Sequence, residues 1–284
     1  LAAAWLLLIP VAAWWLSRKA PAWVMMWSIS SAEFLALKIL TLRGLPAGLP
    51  LGRVVSYVVL WPGMKPREFL GLTSAKVPVA TAPQLAWALC KMAFGIVGVV
   101  WSVANAYSAP ALLVGWVGMV GIIFTLHFGG FALLSWAWRR AGVAALPIMR
   151  APISATSIGE FWGERWNLAF AELARRFILR PLARPVGATV AGGIVFLASG
   201  LIHETVLSLP ARTGWGGPTL YFVLQPLGIL AEKSATGRRL GLGEGFRGWL
   251  WVLLFTVGPL PILFSPGFVE RIIVPMLQQM KEFL

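Results

Sequence analysis

Long apolar runs separated by short polar connections set the rhythm of this chain. Segments at 1–16, 21–42, 46–62, 83–105, 110–138, 185–209, 218–233, 247–264 and 268–281 are predominantly apolar, and several exceed the roughly 18 residues that mark a membrane helix. The pattern predicts an all-α, polytopic transmembrane bundle of about 8–9 segments. The third and last segments are short or broken by Gly and Pro, which suits tilted, re-entrant or interfacial pieces. A membrane barrel would show alternating stretches of roughly 10 residues instead, and none is present. No repeat or linker divides the chain, so the reading is one integral-membrane domain over 1–284.

The chain opens on Leu1 rather than Met. Segment 1–16 resembles a signal-peptide core but lacks a basic lead and a small-residue cleavage site. It is read as a span, or the remnant of a longer one.

Composition supports the membrane class. Of 284 residues, 58% are hydrophobic and only 12% charged, against about 25% charged in soluble domains. The formal charge of +14 invites a nucleic-acid reading, but its distribution points elsewhere. Arg18 and Lys19, then Lys65, Arg67 and Lys76, then the arginines of 139–184, then Lys233, Arg238 and Arg239 fill alternate connections. The intervening connections hold Arg43, nothing near 106–109, and Arg212. That alternation is the positive-inside pattern. If all nine segments cross, it puts the N-terminus outside and the C-terminus in the cytoplasm, in a bacterial-type inner membrane or its equivalent.

Cys90 is the single cysteine, which rules out an intramolecular disulfide. All ten acidic residues are Glu, and His127 and His203 are the two histidines. With so few ligand types, scattered along the chain, no metal site is expected. Most tryptophans fall near proposed span ends and read as an interfacial belt.

The longest polar connection, 139–185, holds in its second half an amphipathic pattern over 160–180. Trp166, Phe170, Leu173 and Phe177 share one helical face, while Arg165, Glu172, Arg175, Arg176 and Arg180 take other angles. Such a helix should lie at the cytoplasmic interface with its arginines toward anionic headgroups. That does not explain Asn167 or the polar-aromatic opening Phe161-Trp162-Gly163-Glu164-Arg165-Trp166-Asn167.

His203 lies inside the apolar run 186–210, where an ionisable group calls for a reason. In a straight helix from Val186 it is about 26 Å from the cytoplasmic end. Ser199, one turn earlier, is placed to hydrogen-bond the imidazole, whereas Glu204 points about 100° away. A neutral imidazole there can relay a proton from an alcohol, or simply bond a neighbouring helix; sequence physics leaves both open. His127, among aromatic and small residues, reads as helix packing or pocket lining. Asn167 is no base, but its amide can donate to an oxyanion or orient a hydroxyl. No nucleophile motif is present, so acyl transfer through these groups would proceed by direct attack of an acceptor hydroxyl.

Taken in order, several motifs resemble the wax-synthase branch of the membrane-bound O-acyltransferases. They are Trp61-Pro62-Gly63-Met64, Pro147-Ile148-Met149-Arg150-Ala151-Pro152 with Ala155-Thr156-Ser157, the 161–167 block, Ser199-Gly200-Leu201-Ile202-His203-Glu204, and Pro218-Thr219-Leu220-Tyr221-Phe222 with Gln225. The likeness is clearest over 55–265. It implies a multi-helix fold with an internal tunnel, and transfer of a fatty acyl group from acyl-CoA, as substrate and not cofactor, to a long-chain alcohol or other lipid hydroxyl. It makes His203 and Asn167 the catalytic pair and places Trp162, Arg165 and Trp166 near the acyl-CoA path; Ser199, Glu204 and His127, singled out above from the residues themselves, are further substrate-side candidates. Glu164 departs from the basic or neutral residue expected there. A polytopic lipid or small-molecule transporter is the rival reading, and a membrane scaffold binding anionic lipid through its basic loops a third.

Overall fold

The computed structural model describes residues 4–74 and 76–283, so the first three residues of the predicted opening segment lie outside it. Its regular structure is entirely helical, with no strand among the described residues. Five helices are long and apolar enough to cross a membrane: Ala22–Thr41, Ala82–Ala104, Ala111–Arg140, Ala188–Ala211 and Gly245–Leu263. The protein is therefore an integral, all-helical membrane protein.

The remaining predicted segments form shorter helices. The 46–62 segment condenses to Leu51–Leu60, ten residues or about 15 Å, half a hydrocarbon core. Pro50 stands at its N-cap, and Gly44 and Gly48, at φ of 75° and 81°, turn the chain before it. Trp5–Ser17 has 13 residues and Gly217–Lys233 has 17. The last segment is a π turn, Val269–Ile273, followed by Val274–Glu282.

The chain is organised as two compact units: residues 1–148 with 269–284, and residues 149–268. The first contains α1 (Trp5–Ser17), α2 (Ala22–Thr41), α3 (Leu51–Leu60), α4 (Ala82–Ala104) and α5 (Ala111–Arg140). Helices α4 and α5 approach backbone to backbone, because a Cβ at Gly121 would lie 2.8 Å from both the Gly95 carbonyl oxygen and the Val99 nitrogen. In α2, Lys38 is fully buried. Its Nζ donates to the Gly63 carbonyl at 2.5 Å and lies 3.4 Å from the Tyr57 ring centroid, a cation–π cage that offsets its desolvation. The C-terminal segment returns to this unit: Trp23 Nε1 donates to Gln279 Oε1 at 2.9 Å, and Lys281 Nζ to the Ala104 carbonyl at 2.7 Å.

The second unit begins with a loop and a π turn, Phe161–Arg165. It continues through α6, which starts as Leu168–Ala174 and runs on through the π turn Arg175–Leu179 into Arg180–Val186. Gly187, at φ 81°, then redirects the chain into α7 (Ala188–Ala211). Helices α8 (Gly217–Lys233) and α9 (Gly245–Leu263) complete it.

The predicted amphipathic helix over 160–180 is not continuous. Trp166 is extended and Asn167 left-handed, at φ 41° and ψ 60°, which ends one helical turn and starts another. The predicted apolar face survives beyond that break, where Leu173 is buried and Phe170 and Phe177 are partly so.

Candidate functional site

His203 closes the regular α-helical part of α7, and the π turn Glu204–Ser208 follows directly. A π turn widens the helix and re-aims the side chains around it, so its position beside an intramembrane histidine is informative. Counted from Ala188, the imidazole is 15 residues along the axis, about 22 Å. The later start after Gly187 shortens the 26 Å expected from sequence.

The imidazole Nδ1 is 2.7 Å from the Ser199 carbonyl oxygen. A carbonyl only accepts, so Nδ1 carries the proton, and in the neutral ring Nε2 keeps its lone pair. The expected bond from the Ser199 hydroxyl is corrected here: Ser199 Oγ donates to the Val195 carbonyl at 3.0 Å, and the backbone orients the ring. Both acceptors lie one turn back, and sequence spacing does not distinguish them.

Glu204 faces elsewhere, as its angle on the helix predicts. Its Oε1 accepts from the Thr219 backbone N–H at 3.1 Å and from Thr219 Oγ1 at 2.9 Å, in the first turn of α8. One turn earlier on α7, a Cβ at Gly200 would come within 2.7 Å of Thr219 Cα. The absence of a side chain at Gly200 thus brings α7 and α8 close enough for Glu204 to hold the exposed amides at the start of α8.

The 150–167 segment supplies the second half of the site. Ser157 caps the turn Ile158–Glu160 by accepting from the Glu160 N–H at 3.0 Å. Glu160 in turn accepts from the Thr156 N–H at 2.8 Å and pairs with Arg165 at 2.6 Å. The Arg165 Nη1 donates to Ser154 Oγ at 2.7 Å and toward the Arg150 carbonyl at 3.3 Å. Arg165 is therefore engaged in shaping this loop on several sides. The Thr156 N–H, followed by Arg165, holds the Glu160 carboxyl below the usual carboxylate range. A depressed folded pKa gives stability that is present above the ordinary pKa near 4.5 and lost as pH falls through the lower folded value. Glu160→Gln should lower stability in the neutral region and flatten the acid limb, so that the two stability–pH profiles converge below the folded value. An acid limb identical to the parent's would show the carboxylate to be idle.

Trp162 reaches into the unit from the π turn. Its Nε1 donates to Gln225 Oε1 at 3.0 Å, and its ring lies 5.9 Å from Phe196 of α7 and 5.6 Å from Phe222 of α8. Phe222 in turn sits 4.5 Å from the His203 ring. One aromatic ring thus touches both the tryptophan and the histidine. Gln225, fully buried, spends its Nε2 on the carbonyls of Tyr221 at 3.0 Å and Phe255 at 2.8 Å. Trp166 stacks on Phe161 at 5.6 Å.

Asn167 has a local reason to be an asparagine. It occupies the left-handed region, which asparagine tolerates better than most residues, and its Oδ1 accepts from the Phe170 N–H at 3.4 Å to cap α6. That cap uses Oδ1, and Nδ2 makes no hydrogen bond among the described residues. His203 and Asn167 share no hydrogen bond among the described residues. Asn167→Ala removes the cap and forces a Cβ residue into a strained φ, whereas Asn167→Gly removes the cap alone. The Ala variant should lose about 1–2 kcal/mol and the Gly variant less, in thermal unfolding of the detergent-solubilised protein. Equal losses would mean that the left-handed backbone costs nothing there.

His127 lies in the first unit, in the π turn Phe124–Gly130 of α5, edge-on to Phe131 at 5.1 Å. Its Nδ1 is buried without a hydrogen-bond partner among the described residues. No group of three metal-ligating side chains is assembled among the described residues. Phe222 belongs to a motif quoted from the sequence, but its contact with the His203 ring was not foreseen there.

Residues 145–224 match a family model described as the membrane bound O-acyl transferase family. The "Probable long-chain-alcohol O-fatty-acyltransferase 9" of Arabidopsis thaliana is 40% identical over 87 residues, covering 28% of this chain and 26% of that protein. The "Long-chain-alcohol O-fatty-acyltransferase" of Simmondsia chinensis is 29% identical over 156 residues, 44% of each chain. A further Arabidopsis thaliana relative, "Probable long-chain-alcohol O-fatty-acyltransferase 8", is 35% identical over 97 residues, 31% of this chain and 29% of that protein. The matches thus span less than half the length of these relatives. The matched stretch, similar to the membrane bound O-acyl transferase family, holds Trp162, Asn167, Ser199, His203, Glu204, Thr219 and Phe222.

Proposed function

We propose that this protein is a membrane-embedded O-acyltransferase, wax-ester-synthase-like, that moves a fatty acyl group from acyl-CoA to the hydroxyl of a long-chain alcohol or other lipid acceptor. The whole chain, 1–284, serves that activity as one integral-membrane, multi-pass enzyme. The observation that carries the reading is the His203 ring: with Nδ1 donating to the Ser199 carbonyl, Nε2 is the free acceptor nitrogen.

In this mechanism Nε2 of His203 takes the proton of the acceptor hydroxyl as its oxygen attacks the thioester carbonyl. The C–S bond then breaks, CoA leaves as a thiolate that regains the proton, and the ester remains. Asn167 contributes its Nδ2 donors to the reacting carbonyl oxygen or to the acceptor. Trp162, Phe196 and Phe222 supply an apolar surround that keeps water from hydrolysing the thioester. Trp162, Trp166 and Arg165 are assigned to the donor side, Arg165 through the loop it shapes. Ser199 orients the base, and Glu204 holds α8 in place beneath it. Acyl-CoA is consumed as a substrate, with no resident cofactor or metal.

The test is radiolabelled acyl-CoA with the purified protein in vesicles and a panel of long-chain alcohols, diacylglycerol and sterol. Labelled ester with stoichiometric release of free CoA is expected. Movement of the lipid between leaflets without any CoA release would overturn the reading in favour of a transporter.

A further inference from the structure

Helix α8 carries a stripe of contacts that bears on how the site is built. Phe222, Gln225, Gly228 and Glu232 recur at helical spacing on one face. Phe222 touches the His203 ring, Gln225 accepts from Trp162, and Gly228 leaves room for the side chain of Ile158. Glu232 ends the series. It is a carboxylate only 5% exposed, and it accepts from the Ile158 N–H at 2.9 Å and the Gly159 N–H at 3.3 Å. A negative charge in the last turn of its own helix is unfavourably placed against the helix dipole. Its burial there is sustained by the two amides, which belong to the start of the turn that delivers Trp162. From Phe222 to Glu232 the helix rises about 15 Å. One rigid face thus fixes the 158–162 turn at several points and the histidine at another.

We infer that Glu232 is a positioning residue: it sets the 158–162 turn in register with His203 through the face of α8, without touching the reacting atoms. The inference rests on the acyl-transfer reading for its catalytic consequence. Its structural part can be measured independently.

Two variants of the full chain, Glu232→Gln and Glu232→Ala, separate the parts. Hydrogen exchange followed over residues 156–167 should quicken at Ile158 and Gly159, more in the Ala variant than in the Gln variant, with α7 unchanged. Unchanged exchange at 156–167 would overturn the inference whatever the activity. In ester formation, Glu232→Gln should lower kcat about tenfold while the KM for acyl-CoA stays within about twofold. Combined with Trp162→Phe, which removes the bond to Gln225 and shortens the ring, its effect should be clearly less than the product of the two single effects. Independent, multiplying effects, or a change confined to KM, would also overturn it. If the parent protein makes no ester, the acyl-transfer reading fails, and the exchange result alone decides whether Glu232 holds the turn.

Discussion

Replacing His203 with alanine is expected to lower ester formation by about 10²–10⁴-fold, the range that a positioned general base contributes. His203→Asn makes the sharper comparison. The asparagine Nδ2 stands close to where the imidazole Nδ1 is, so it can still donate to the Ser199 carbonyl, but it has nothing at the Nε2 position. If the Ser199 contact mattered for folding alone, the Asn variant would keep activity and the Ala variant would lose it. The reading here has both inactive, with the Asn variant closer to the parent in thermal stability. Activity and melting temperature measured on the same preparations separate the two roles of the ring. An active His203→Asn protein would remove the base from the mechanism.

The second large effect is structural. Gly200→Val is expected to lower the melting temperature of the detergent-solubilised protein by about 5–10 °C, with Gly200→Ala intermediate. The reason is a backbone contact. The added Cβ would stand 2.7 Å from Thr219 Cα, where no flexible side chain can yield. Helices α7 and α8 must then separate, and the bonds from Thr219 to Glu204, at 3.1 and 2.9 Å, lengthen with them. A partly buried carboxylate that loses these donors costs more than one that never had them. Because Phe222 also rides on α8, ester formation should fall further than unfolding alone explains. A Gly200→Val protein as stable as the parent would mean that α7 and α8 are not held at the distance described.

These effects also show where the sequence was legible. The apolar run around His203 predicted its helix, and the 100° step left Glu204 without an automatic claim to be its partner; Thr219 bonds to Glu204. Periodicity also located α2, α4 and α5 within a few residues. It failed over 160–180, because apolar spacing records which face a helix buries and is blind to one residue crossing into left-handed backbone. Asn167 did so at φ 41° and split the helix. For 46–62 the Pro and Gly breaks marked the segment as short, and ten helical residues form there. At Ser199 the spacing was right and the atom wrong, since hydroxyl and carbonyl lie within the same turn. The α8 stripe was beyond sequence reasoning for a different reason. Phe222, Gln225 and Glu232 become a set only when the 158–162 turn is laid against them.

The most direct measurement is the yield of labelled ester over time from radiolabelled acyl-CoA and a long-chain alcohol, for parent and His203→Asn proteins at matched amounts of folded material in vesicles. The parent should accumulate ester and free CoA in equal amounts, and the variant should show neither above the protein-free rate. Ester formed by the variant at the parent's rate would contradict the assignment of His203 Nε2 as the base.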